Sequence, residues 1–236
     1  MKIMTRNLLA EMMLTALDDR VSAAALECLA VYCRAIEHVP PSMPIARFLH
    51  PASEEEHEAV SAKLEANPLL TWDLHGGSGQ VRLSAQFSSE WREIIDKLVC
   101  FGAALDDWSP YEGTPQTLAL QKGSLLFNHH LFFEVHEVLE AQWVQESGAA
   151  KLFLQGLIQI AVAFYHRQNR NLRGTLALLQ DGLEKITLHQ PVFLGVELQE
   201  FVSQLEHCRT ELLRLGEERC LQFREELIPR LQFVNG

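Results

Sequence analysis

The chain has 236 residues, 47% of them apolar and 22% charged, and carries a formal net charge of −11 at neutral pH. That length allows one large domain or two small ones with a real hydrophobic core. The acidic excess runs along the whole chain with no basic patch, which excludes broad electrostatic attraction to nucleic acid or to anionic lipid.

The first stretch, MKIMTRNLLAEMMLTALDD, is interrupted by Glu11 and has no small-residue cleavage site, so it reads as an amphipathic helix rather than a signal peptide. Helical periodicity covers residues 6–17 and 22–37, and PPSMP at 40–44 breaks the chain. Ser53 followed by Glu56 is a capping box that opens a helix to about residue 66. LLTWDL and QVRLSA flank the turn HGGSG, the pattern of a short β-hairpin, and Ser88 and Ser89 introduce a helix over 90–105. Helices followed by a glycine-tipped hairpin and a further helix predict a small α+β, winged-helix-like domain over 1–105. Such a fold often binds DNA. Here the candidate recognition helix, SEEEHEAVSAKLEA, carries five glutamates against one lysine and would repel phosphates. The domain is therefore expected to contact protein.

Residues 106–116, DDWSPYEGTPQ, read as a linker. The remainder, 117–236, reads as a helical bundle, so the fold class is mainly α. Its helices are expected at 115–127, 131–146, 150–167, 172–188, 197–215 and 217–228, punctuated by Gly148, Pro191, Gly195 and Gly216. The most apolar run, LFLQGLIQIAVAFY at 152–165, is too short to span a bilayer. Five dispersed cysteines, never spaced as CxxC, fit the reduced thiols of a cytoplasmic protein.

The candidate site lies in FNHHLFFEVHEVLEAQW. At 100° per residue, Phe132, His136, Leu139, Glu140 and Trp143 share one helix face. A lone carboxylate buried among such side chains is costly, so His136 and Glu140 need partners. The next helix offers Gln155, Gln159 and His166 on one face, and an antiparallel hairpin would set Glu140 level with Gln155 and His136 level with Gln159.

These segments, with QGLIQ and the pair Asn171 and Gly174, resemble the bacterial and archaeal family called domain of unknown function 309. The likeness covers about residues 115–189 and extends toward the C-terminus. The family signature HxxxExxW is matched by His136, Glu140 and Trp143; family members usually have glycine where this chain has His130. The resemblance implies a small helical bundle whose signature has been suggested to bind metal, and no known activity.

Two readings follow. In one, His136 and Glu140 bind a divalent metal ion or small ligand, with His129 and His166 completing the shell, although HEVLE lacks the second histidine of HExxH. In the other, His136, Glu140, Gln155 and Gln159, with Trp143 and Glu137 in support, form a buried structural network in a non-catalytic interaction module. Partners would then be another protein or a second copy of the chain.

Overall fold

Ten α-helices and two small antiparallel sheets realise the apolar pattern among the described residues of this computed structural model, which are 1–35, 42–74, 79–109 and 113–234. The fold is mainly helical. It divides into two units, Met1–Trp108 and Ser109–Gly236.

The first unit contains α1 (Ile3–Ala16), α2 (Arg20–Arg34), α3 (Ile45–Phe48), α4 (His57–Glu65) and α5 (Trp91–Asp106). Asp19 caps α2, accepting from the Ser22 amide at 2.8 Å and from the Ser22 hydroxyl. Leu26, Leu29 and Tyr32 of α2 are buried, as are Ile94, Leu98 and Phe101 of α5, and these two helices pack together. A three-stranded sheet in the order β1 (Met43–Pro44), β3 (Gln80–Leu83), β2 (Leu70–Asp73) completes the unit, with Trp72 opposite Val81.

Two expectations change here. PPSMP was expected only to break the chain, yet Met43 and Pro44 pair with Val81 and Gln80; an edge strand tolerates proline. Its Pro40 and Pro41, the turn residues 75–78 and linker residues 110–112 lie outside the described residues. The helix expected from Ser53 starts at His57 instead. Ser53 does bond Glu56, at 2.6 Å, side chain to side chain, and Arg20 sits 2.5 Å from the same carboxylate. The Ser53 backbone amide also bonds that carboxylate, so this half of the capping box forms while the helix itself begins one turn later.

The second unit contains α6 (Pro115–Asn128), α7 (Phe132–Trp143), α8 (Gly148–Gln168), α9 (Leu172–Ile186) and α10 (Gln199–Arg219). Thr114 caps α6 and proline occupies its first turn, where no amide is needed. Phe127 anchors the core, edge-on to Phe132, Phe164 and Phe201 with ring centroids 5.2, 5.9 and 5.7 Å away. Among the described residues one helix, α8, is long and apolar enough to cross a membrane, with 21 residues and a mean hydropathy of 1.4. It extends beyond the run 152–165 at both ends and packs between α7 and α9 as the central helix of this unit.

The end of the chain departs most from expectation. A hairpin, β4 (Val192–Phe193) and β5 (Val196–Glu197), precedes α10 and turns through Leu194 and Gly195, both at positive φ. The helix expected at 217–228 is absent. Gly216, at φ 67° and ψ −178°, breaks α10, which ends at Arg219 and gives way to short 3-10 turns at 220–222 and 225–227. The remaining strap is held by side chains reading its backbone. Asn128 accepts from the Leu231 amide at 2.7 Å and donates to its carbonyl at 3.0 Å, and Ser124 donates to the same carbonyl at 2.6 Å.

Candidate functional site

The signature helix α7 follows a sharp turn. His130 sits in the left-handed region at φ 59°, a conformation glycine adopts freely and an L side chain adopts at a cost of roughly 1–2 kcal/mol. Its ring stacks on Phe132 at 5.5 Å and its Nδ1 lies 3.6 Å from Glu225. Those contacts go some way to offsetting the strain that glycine avoids.

One turn further on, the His136 imidazole lies between two carboxylates. Nδ1 is 3.0 Å from Glu137 Oε1, and Nε2 is 3.2 Å from Glu140 Oε2. The side chains of His136, Glu137 and Glu140 are 27%, 40% and 52% exposed, so the cluster is a half-open surface feature. The buried pair expected from the sequence does not form. Glu137, which the helical wheel turns away from His136, reaches back as the second partner.

The reason lies in rotation rather than height. Phe132 stacks on Phe164 at 5.3 Å, Phe133 lies 5.6 Å from Tyr165, and the Lys151 ammonium sits 4.3 Å from the Trp143 ring. These contacts keep the antiparallel register close to the expected one. They also show which side of α8 meets α7. His166, two residues past Phe164, is rotated by about 200° from it, and Gln155 and Gln159 share its side, beyond the Lys151 edge of the surface that meets α7. Neither glutamine bonds His136 or Glu140, and Gln159 Oε1 is buried with no hydrogen-bond partner. His166 Nδ1 instead faces the Asn171 amide nitrogen at 3.1 Å, while Asn171 Oδ1 caps α9 through the Gly174 amide at 2.9 Å. A Cβ at Gly174 would fall 2.6 Å from Asn171 Nδ2 and 3.1 Å from His166 Cγ. Asn171 and Gly174 are thus parts of one cap. The Trp143 indole N–H, expected to meet a polar neighbour, is buried and has no acceptor among the described residues.

The four-residue metal set does not assemble. His129 ends α6, His166 joins the α9 cap, and among the described residues no group of three or more His, Cys, Asp or Glu side chains could hold a metal ion.

Sequence reasoning missed two features. Glu134 is fully buried in the first turn of α7, where unpaired backbone amides favour a carboxylate. Arg167 was not weighed at all. It donates to Glu225 at 2.8 Å and to the Phe223 carbonyl at 3.1 Å, with its guanidinium 5.1 Å from the Phe223 ring. That contact outweighs the opposing effect of burial and holds the Glu225 carboxyl below the usual carboxylate range. Its position in the last turn of α8 was the available signal.

The second unit is thus a helical bundle built around a His-x-x-x-Glu-x-x-Trp helix. Residues 120–178 match the family described as Domain of unknown function (DUF309). The chain is also similar to the uncharacterized protein YpuF of Bacillus subtilis (strain 168), at 27% identity over 106 residues. That alignment covers 44% of this chain and 51% of the relative, so the chain spans about half the length of the relative it matches.

Proposed function

We propose that the protein is a non-catalytic binding protein of the cytoplasm, whose DUF309 unit offers the Glu137–His136–Glu140 cluster to a cationic group of a small ligand or partner. One observation carries this reading: both ring nitrogens of His136 face carboxylates, so neither is directed outward. A metal ligand or general base needs a ring nitrogen turned toward the ion or substrate. What the cluster turns to solvent is carboxylate oxygen, which accepts hydrogen bonds from ammonium or guanidinium groups. Four of the five cysteines are buried and all five are free thiols, which supports a reducing compartment.

The test is a titration of the full chain with spermidine as a polycationic probe, beside elemental analysis of untagged protein. Saturable spermidine binding, weakened in both Glu137→Gln and Glu140→Gln, is expected. A stoichiometric transition metal that disappears in His136→Ala would overturn the reading.

For the first unit we infer a winged-helix-like domain that contacts protein rather than DNA. The order β1–β3–β2, with the β2–β3 hairpin between α4 and α5, supports the fold. The exposed carboxylates Glu54, Glu55, Glu58 and Glu65 support the exclusion of DNA. A gel-shift titration showing tight, salt-sensitive duplex binding would reverse it.

A further inference from the structure

We propose that the groove between α1, α2 and α4 docks a basic amphipathic helix of a protein partner. The proposal rests on reading the first unit as a protein-contact domain, and it adds the chemistry of what is contacted.

The first observation is α1 itself. Its inner face buries Leu9, Ala10, Met13 and Ala16. Its outer face is also apolar: Ile3 and Met4 are 69% and 72% exposed, and Leu8 and Met12 continue that side one and two turns on. Asn7, Glu11 and Thr15 interrupt that outer side, so it offers apolar side chains with polar ones beside them, and nothing among the described residues covers Ile3 and Met4. The second observation is the space beside it. Leu8 and Met12 form one wall of a cavity of about 320 Å³, floored by Leu26, Leu29 and Leu64. That volume is at the small end for a ligand pocket, and it suits apolar side chains spaced one helical turn apart. Methionine in the wall lets it adjust to the shape of such anchors.

Charge identifies the helix. Two ionic side chains line the cavity, Glu11 and Lys63. The Lys63 ammonium lies 3.3 Å from Asp19. Glu11 is exposed on the rim between Leu8 and Met12 and makes no ion pair among the described residues. The uncompensated charge at the groove is therefore negative, and the complement is lysine or arginine beside the apolar anchors.

The test uses the full chain and two labelled helical peptides with identical leucine spacing, one carrying lysines and the other glutamates, followed by fluorescence anisotropy. The lysine peptide should bind about tenfold or more tightly than the glutamate peptide. Glu11→Lys, at an exposed position, should invert that preference with an unchanged circular dichroism spectrum. Met12→Ser should weaken the lysine peptide. Binding of the lysine peptide that ignores both substitutions overturns the site. Equal binding of both peptides, lost in Met12→Ser, overturns the basic partner while leaving the protein-contact reading intact. No binding of either peptide overturns the proposal, as does a concentration-dependent dimer that Met12→Ser abolishes, which would make a second copy the occupant.

Discussion

Gly156 and Gly182 bring the backbones of α8 and α9 into direct contact. A Cβ on Gly182 would lie 2.8 Å from the Gly156 carbonyl oxygen and 2.6 Å from Ile160 Cγ1, and one on Gly156 would lie 2.7 Å from Ile186 Cγ2 and 3.1 Å from the Gly182 carbonyl. Two effects oppose each other in Gly182→Ala. Helix propensity favours alanine by about 1 kcal/mol, whereas overpacking costs about 1–3 kcal/mol. The obstructing atom is a backbone oxygen that cannot swing aside, so overpacking should win. Urea unfolding should show a lower midpoint, and an unchanged or raised midpoint would contradict the close approach.

Asn128 and Leu231 provide a second test. Asn128→Ala removes the acceptor of the Leu231 amide and one of two donors to its carbonyl. Losing a partner of a buried backbone group costs about 1–3 kcal/mol. Asn128→Asp keeps the acceptor and leaves the Ser124 bond to the carbonyl, so it should cost less. Limited proteolysis should release the C-terminal strap faster in the alanine variant than in the aspartate variant.

Asp19 sets a pH dependence. Hydrogen bonds from the Ser22 hydroxyl and amide, then from Lys63, lower its carboxyl from 3.8 to about 2. A depressed folded-state value contributes stability that is fully present above pH 3.8 and is lost as pH falls through about 2. Asp19→Asn keeps a capping oxygen but not the charge. Its deficit in thermal midpoint should be constant above pH 4 or so and shrink toward pH 2. A deficit that grows on acidification would reverse the sign.

How much of this was legible depended on which physical quantity each residue reports. Apolar periodicity is one-dimensional, and it placed α6 to α9 within a few residues of where they lie. The turn before Gly148 fixed the height of α7 against α8, as the Phe132–Phe164 stack shows. Nothing local fixed the rotation of α8. Gly156 and Gly182, whose missing side chains let α9 approach, turn their side of α8 toward α9. A glycine inside a helix reads as a weakness from sequence alone, and its value as a contact appears only with the partner in place. The strap was illegible for a related reason. Its order comes in large part from Ser124, Asn128 and Arg167, 56–107 residues away in sequence, which bond its backbone, with Arg167 also holding the Glu225 carboxylate.

The same rotation decides the behaviour of His136 and Glu140. Had the pair been buried against the α8 glutamines, Glu140→Ala would cost about 1–3 kcal/mol or more. The structure places Glu140 more than half in solvent, 3.2 Å from Nε2, with Glu137 on the other ring nitrogen. An exposed i,i+4 pair contributes about 0.3–0.5 kcal/mol, and the remaining carboxylate still holds the ring. Glu140→Ala should therefore shift urea unfolding by less than about 1 kcal/mol. Glu134→Ala, at a fully buried position in the same helix, should shift it more. The comparison is internal to one helix, so helix propensity largely cancels between the two variants. If Glu140→Ala proves the more damaging substitution, the carboxylate is buried and the half-open cluster on which ligand binding depends does not exist.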